Sequence, residues 1–335
     1  SAGRAQIQRE RRVKRKRKGE MQAEAFRKLY PEEFLEKFLD QGVRPDGRGL
    51  ASAKTFSVHV GAVSNSPGSA LVKVGETTVL TSIELSILDL EHESDTGRIE
   101  YELDVGPLGT TFENNNVAKR RQELASVCGR VKRTLSSVVD CSSLSLKKKR
   151  KEEEEEGRGD GALDGKKEKF FGWCVKVKSL CVALDGCLFD ASLASAVAAL
   201  ATLRLPSIEE IKGKEGMIEI RVVRQQQSKT IQQQQQQSSS EEGSKQVAFN
   251  SIPSCISLAL YKDHILLDPT REEELLASAQ VSITAAIKNH TENMEKEDEE
   301  EEEMKFISVE ASSAGQRCLL TSEVMQKCFA IVRKR

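Results

Sequence analysis

The stretch richest in chemical meaning runs Leu184-Asp185-Gly186-Cys187-Leu188-Phe189-Asp190 and reads as a strand end, a tight turn and the start of a helix. A turn that feeds a buried helix is where α/β proteins place anions, because free N–H groups and the positive end of the helix dipole converge there. Cys187, Leu188 and Phe189 bring no hydroxyl, no guanidinium and no glycine for close backbone approach. Side-chain chemistry alone therefore favours a structural turn. Asp190 stands where an N-cap belongs, and Pro206 stops the helix because it has no N–H to continue the ladder.

A second candidate lies where Ile256 to Leu260 and Ile265 to Leu267 form an apparent hairpin around Tyr261-Lys262-Asp263-His264, followed by Asp268-Pro269-Thr270. The carboxylates of Asp263 and Asp268 could act as acid and base or hold a metal. Against this stands the cap reading, favoured for an acid that precedes proline at a turn. His264 reads as an exposed hairpin residue rather than a general base, since no Ser or Cys nucleophile motif lies near it. Lys119-Arg120-Arg121, with Arg130, Lys132 and Arg133 farther along, forms a third candidate. A solvated helix face is the default for such charges. Three adjacent cations near a helix start could instead contact phosphate, each bond contributing roughly 1.5 to 3 kcal/mol if desolvated.

The elements that must position these residues follow from hydrophobic spacing. Trp173 to Leu184 is a strand, and the helix after it is apolar on nearly every face, which predicts a buried central helix. Pro31, Glu32 and Glu33 open a helix with Phe34, Leu35, Phe38 and Leu39 on one face, ended by Gly42. Val43-Arg44-Pro45-Asp46-Gly47-Arg48-Gly49 then reads as a turn with surface ion pairs. Phe56 to Val60, Ser69 to Val74, Thr77 to Ile87 and Ile99 to Val105 read as an antiparallel meander with one buried face, turning at Gly75-Glu76. From the Asn114-Asn115-Asn116 cluster to about Val139, Leu124, Val127, Cys128, Val131, Leu135 and Val138 recur at helical spacing. Met217 to Val223 is a further strand, Val281 to Ile287 pairs with Phe306 to Val309, and a last helix runs from a Ser322 cap to Val332.

Composition sets the outer bounds. Charged residues make up 31% of the 335 and aromatics 4%, so much of the chain cannot be core. A basic tail at 1–20 and polar inserts at 147–169, 225–246 and 288–304 account for the surplus, leaving a length suited to one decorated domain at 21–335. The inserts read as disordered loops, and the Gln-rich one, Gln225 to Gln237, as low-complexity chain without catalytic content. The net charge of −1 hides nine Lys or Arg among residues 4–18 and nine acids among 292–303. The basic run is compatible with nuclear import, with attraction to a phosphate backbone, or with a plain solvated tail. Eight cysteines show no Cys-x-x-Cys pair and read as reduced core thiols of an intracellular protein. No apolar run reaches the roughly 18 to 20 residues needed to span a bilayer, and no signal-like segment is recognised.

With these pieces in place, the chain resembles the RNase PH family, and within it the catalytically silent ring subunits of the eukaryotic RNA exosome, nearest the rRNA-processing protein 42/43-like branch. The residues that carry the resemblance are Gly42 to Arg48, Gly68 to Gly75 with Thr77-Thr78-Val79, Leu184-Asp185-Gly186 through Leu200, and Leu267-Asp268-Pro269-Thr270 with Glu272-Glu273-Glu274. The fold this implies is a mixed-sheet α/β domain with two related β-rich, helix-containing halves, placed here at 56–139 and from 170 onward. Active members hold inorganic phosphate on a Gly-Ser-Arg or Gly-Thr-Arg triplet, and the alignment puts Cys187-Leu188-Phe189 in its place. The loss of a single preorganised donor costs roughly a hundred- to a thousand-fold in rate, which implies a non-catalytic chain.

The resemblance also makes Asp263 and Asp268 vestigial acid positions and Lys119, Arg120 and Arg121 the RNA-contacting residues, with no cofactor and no metal. The implied partners are other RNase PH-like subunits in a hetero-hexameric ring, RNA-binding cap subunits, an associated exoribonuclease and single-stranded RNA threaded through the channel, with no membrane. The implied setting is rRNA maturation and mRNA turnover in nucleus, nucleolus and cytoplasm. The alternatives are an active phosphate-dependent 3′-to-5′ exoribonuclease and a free RNA-binding protein. Only 15 aromatics and no aromatic-interleaved basic strand argue against a base-stacking platform.

Overall fold

The computed structural model of the chain describes residues 23–90, 92, 96–106, 117–146, 170–206, 208–212, 218–222, 245–288, 305–313 and 321–333. The basic tail and most of each polar insert lie outside them. The described ends of two inserts are structured: Lys245–Gln246 pairs with Arg204–Leu205, and Lys288 closes a long strand.

The first sheet is built from β1 (Phe56–Val60), β2 (Ser69–Val74), β3 (Thr77–Leu90), β4 (Arg98–Val105), β5 (Ser145–Leu146) and β6 (Phe170–Ala183). Its order is β1-β2-β3-β6-β4, with β5 added on β6. The meander expected from the sequence therefore holds only for β1 to β3. β6 inserts between β3 and β4, antiparallel to the first and parallel to the second. Local alternation specifies that a strand has a buried face but not which strand lies beside it. For the same reason 170–183, expected to open the second half, belongs to the first sheet.

Helix α1 (Pro31–Leu39) precedes this sheet, and α2 (Val117–Val138) and α3 (Leu188–Ala201) pack on it. The predicted buried central helix is α3, with Ala191, Leu193, Ala196, Ala199 and Leu200 at 1% exposure or less. It ends at Ala201 with Thr202 as C-cap, and Pro206 lies beyond the short strand β7 (Arg204–Leu205) instead of terminating the helix. Along α2 the expected core face is present, fully buried at Val131, Leu135 and Val138 and half-buried at Leu124, Val127 and Cys128.

β8 (Ile208–Lys212) and β9 (Ile218–Val222) form a hairpin of which only the second strand was legible, and β10 (Lys245–Gln246) pairs β7. The second sheet is four-stranded and antiparallel, ordered β12-β11-β13-β14 from β11 (Ser251–Tyr261), β12 (His264–Leu267), β13 (Ala279–Lys288) and β14 (Lys305–Ser313). α4 (Arg271–Leu276) sits between β12 and β13. Helix α5 (Ser322–Arg333) buries Cys328 and Val332 against Leu258, Val281 and Ile283 of this sheet, and its start is held by the Thr321 hydroxyl, one residue before the expected cap. α1 lays Leu35 and Leu39 on the opposite side, against Ala259, Tyr261 and Leu266. The fold is thus mixed α/β with two sheets, and α3 runs between them.

Candidate functional site

The β6–α3 turn is held by hydrogen bonds in which its backbone both donates and accepts. Gly186 has φ +76°, and a Cβ there would come 2.4 Å from the Pro269 carbonyl oxygen, so only glycine fits. Thr77 Oγ1 accepts from Asp185 N–H at 2.8 Å and donates to Gly186 O at 2.6 Å. Lys54, buried just ahead of β1, donates Nζ to the carbonyls of Asp185 and, at 2.9 Å, Pro269. Cys187 is the N-cap residue, in the left-handed region at φ 52° and 2% exposed. Its N–H donates 2.7 Å to Glu274 Oε1.

Asp190 is not the cap the sequence suggested. It lies inside the first turn of α3, and its carboxylate accepts from the Ser257 N–H at 2.9 Å and the Ser257 hydroxyl at 2.8 Å. That ties α3 to β11, a partner 67 residues away that local sequence cannot reveal. Burial pushes the Asp190 carboxyl up, and the neighbouring Asp268 carboxylate adds to this.

Asp268 begins the loop that faces the turn. It too is left-handed, at φ 47°, and 1% exposed. Its Oδ2 accepts the Lys54 N–H at 3.0 Å, while the α4 cap is Thr270, which shares a capping box with Glu273. The cap reading of Asp268 is thus replaced by a long-range brace. Asp263 lies apart, exposed at the Lys262-Asp263 turn at the far end of β12, so the two acids are not brought together. His264 is half-buried in register with Tyr261.

Arg44, expected on the surface, is completely buried. It makes a bidentate pair with Glu273, donating Nε to Oε1 at 2.9 Å and Nη2 to Oε2, and it donates to the carbonyls of Leu267 at 2.6 Å and Asp268 at 3.2 Å. Arg48 keeps the surface pairing, 2.6 Å from Asp46. Its Nη2 also reaches Asp268 O at 3.1 Å. The Arg-Pro-Asp-Gly-Arg turn therefore serves as a key for the Asp268–Thr270 loop, which in turn backs Gly186.

The cations near the turn are largely matched by acids. Arg130 lies 3.9 Å over the Phe189 ring and 2.5 Å from Glu310, which also takes Arg133 at 3.1 Å. Arg271 joins Glu123 of α2 at 3.0 Å to Glu274 at 3.1 Å. Arg121 is exposed on α2; the side chains of Lys119 and Arg120 lie outside the described residues. Sequence reasoning missed Lys54, Arg271 and Glu274 as members of the site. The Thr-x-x-Glu pattern at 270–273 was a signal for α4, but nothing local marks which glutamate turns inward.

Among the described residues, ligand atoms of Cys187, Asp190 and Asp268 lie within 4.8 Å of one another. Both Asp190 oxygens already accept bonds from Ser257, Asp268 accepts one from Lys54, and burial raises the Cys187 thiol far above its usual range. The trio forms a buried, hydrogen-bonded junction between α3 and the second sheet.

Comparison with known proteins places this geometry. Residues 52–206 match the 3′ exoribonuclease family, domain 1, and residues 251–331 match its domain 2. The chain is 25% identical over 263 residues to exosome complex component rrp43 of Schizosaccharomyces pombe, covering 77% of this chain and 81% of that protein. It is 25% identical over 288 residues to the putative exosome complex exonuclease RRP42 of Dictyostelium discoideum, covering 77% and 84%. Against exosome complex component Rrp42 of Sulfurisphaera tokodaii the identity is 26% over 260 residues, covering 76% and 78%. A chain of the Archaeoglobus fulgidus exosome with RNA bound to the active site superposes with TM-score 0.57 at 20% identity, covering 89% of this chain and 92% of that one.

Proposed function

This chain belongs to the 3′ exoribonuclease (RNase PH) family, and on that premise we propose that it is a non-catalytic core-ring subunit of an exosome, supporting 3′-to-5′ RNA processing and degradation without cleaving RNA itself. The observation that carries this reading is the β6–α3 turn. At the mouth of α3 stand Cys187, Leu188 and Phe189, none of which carries a hydroxyl or a guanidinium to offer an oxyanion, and the Cys187 N–H is already bonded to Glu274. Without preorganised charge stabilisation at the reacting centre, phosphorolysis loses its largest rate contribution. The names of the relatives support membership of an exosome with other subunits and RNA, and both family domains are present in one chain.

In this reading the chain's neighbours are other RNase PH-like subunits, with RNA-binding cap subunits and an associated exoribonuclease completing the assembly. Single-stranded RNA threads the ring. Lys119, Arg120 and Arg121 at the start of α2 are the proposed contact with its backbone, an interaction that weakens as salt rises. Nucleus, nucleolus and cytoplasm are the proposed locations.

The test is a tagged purification combined with an assay of the isolated chain for phosphate-dependent release of nucleoside diphosphates from RNA. Co-purification with several RNase PH-like chains and no release by the isolated chain is the expected result. Phosphate-dependent degradation by the chain alone would establish the phosphorolytic enzyme instead.

A further inference from the structure

Three consecutive glutamates of α4 have three different jobs. Glu272 pairs with Arg27 at 2.5 Å near the surface, and Glu273 is buried against Arg44. Glu274 faces the opposite element. Its Oε1 accepts the Cys187 N–H at 2.7 Å and its Oε2 accepts Arg271 Nη1 at 3.1 Å, with the side chain 11% exposed. Arg271 is aimed by a further bond, Nη2 to Glu123 at 3.0 Å, and its own N–H lies 3.3 Å from Asp185 Oδ1.

A helix N-terminal N–H and a guanidinium converging on one two-oxygen group is the donor set that captures oxyanions. Here the group captured is a carboxylate of the same chain. Because it is tethered six residues past the Asp268 brace, its effective concentration at the α3 N-terminus far exceeds that of a dissolved anion.

We propose that Glu274 is the built-in occupant of this anion position, a plug that closes the start of α3 to inorganic phosphate. The inference rests on the non-catalytic reading above and names the residue that enforces it. Loss of a triplet of phosphate-binding side chains would leave an N-terminus still able to attract anions weakly; the plug removes that residual attraction. Burial pushes the Glu274 carboxyl above its ordinary value, against the opposing pull of Arg271 and the Cys187 N–H.

The experiment is calorimetric titration of the full chain with inorganic phosphate at fixed ionic strength, comparing wild type, Glu274→Ala and the double variant Glu274→Ala with Arg271→Ala. Glu274→Ala is expected to bind phosphate about tenfold or more tightly than wild type, the worth of one charge-assisted bond, and the double variant to lose that gain. No gain in Glu274→Ala, an equal gain in the double variant, or wild type already binding as tightly would each overturn the proposal. Should circular dichroism show Glu274→Ala unfolded, Glu274→Gln keeps the shape and drops the charge; a gain of the same sign supports the plug and its absence overturns it. RNA breakdown by the same wild-type preparation is scored separately. Phosphate-dependent breakdown would sink the non-catalytic reading whatever the titration gives, whereas a silent wild type with no gain in the variants sinks only the plug.

Discussion

Arg44 and Glu273 are each almost wholly buried, and each satisfies the other along with the Leu267 and Asp268 carbonyls or the Thr270 N–H. Removing one member leaves an uncompensated buried charge. Arg44→Ala is therefore expected to lower unfolding free energy by about 3–5 kcal/mol, measured by urea denaturation, whereas Arg48→Ala at the partly exposed end of the same turn should cost about 1 kcal/mol or less. Gly186→Ala meets both the strain of φ +76° and the Pro269 carbonyl. Its cost should exceed the roughly 1–2 kcal/mol of left-handed strain alone, because the obstacle is backbone and cannot swing away. A loss below 1 kcal/mol would show that the turn can re-form elsewhere.

Among the elements, β1 stands out from the other strands whose burial is described. It forms one edge of the first sheet, and all five of its residues are exposed. Phe56, Val58 and Val60 pair in register with Val74, Val72 and Ala70, so they share the face that is buried on the neighbouring strand. An apolar edge without charge or proline is a template for pairing with another chain. The isolated chain is expected to self-associate, and Val58→Lys to shift it toward monomer in size-exclusion chromatography with light scattering; unchanged association would place the sticky surface elsewhere. α4 offers a smaller test. Thr270→Ala removes one half of its capping box and should cost about 1 kcal/mol, with the Cys187–Glu274 bond loosened in consequence.

For the whole molecule, burial raises several groups that ionise in alkali. Tyr101 is pushed up to about 12 and Cys181 to about 11, and Cys187 moves well above its ordinary 9.0. In the unfolded chain these groups lose protons near their ordinary values, while the folded chain keeps them. The native state then binds more protons, so stability falls as pH rises. Denaturation midpoints should decline from about pH 9 upward as the thiols, then tyrosine, ionise in the unfolded chain. Cys181 and Cys187 should also resist alkylation at pH 8 until denaturant is added, which mass spectrometry of trapped thiols can read.

Periodicity was enough to locate α1, α2, α3, α5 and most strands of both sheets, because burial of one face leaves its mark every two or every 3.6 residues. The turn itself was legible too, as was the fact that Cys187, Leu188 and Phe189 carry neither a hydroxyl nor a guanidinium. Pairing order was not: β6 lies between β3 and β4 although β4 ends at Val105 and β6 begins only at Phe170. Neither was the direction of a polar side chain. Asp190 looks like a cap and instead holds Ser257, Arg44 looks like a surface charge and is buried, and Glu274 looks like one of three equivalent acids and faces the helix N-terminus alone. Hydrophobic burial repeats locally and so can be read along the chain. The satisfaction of a buried polar group depends on a partner brought from far along the sequence, and only the folded structure supplies it.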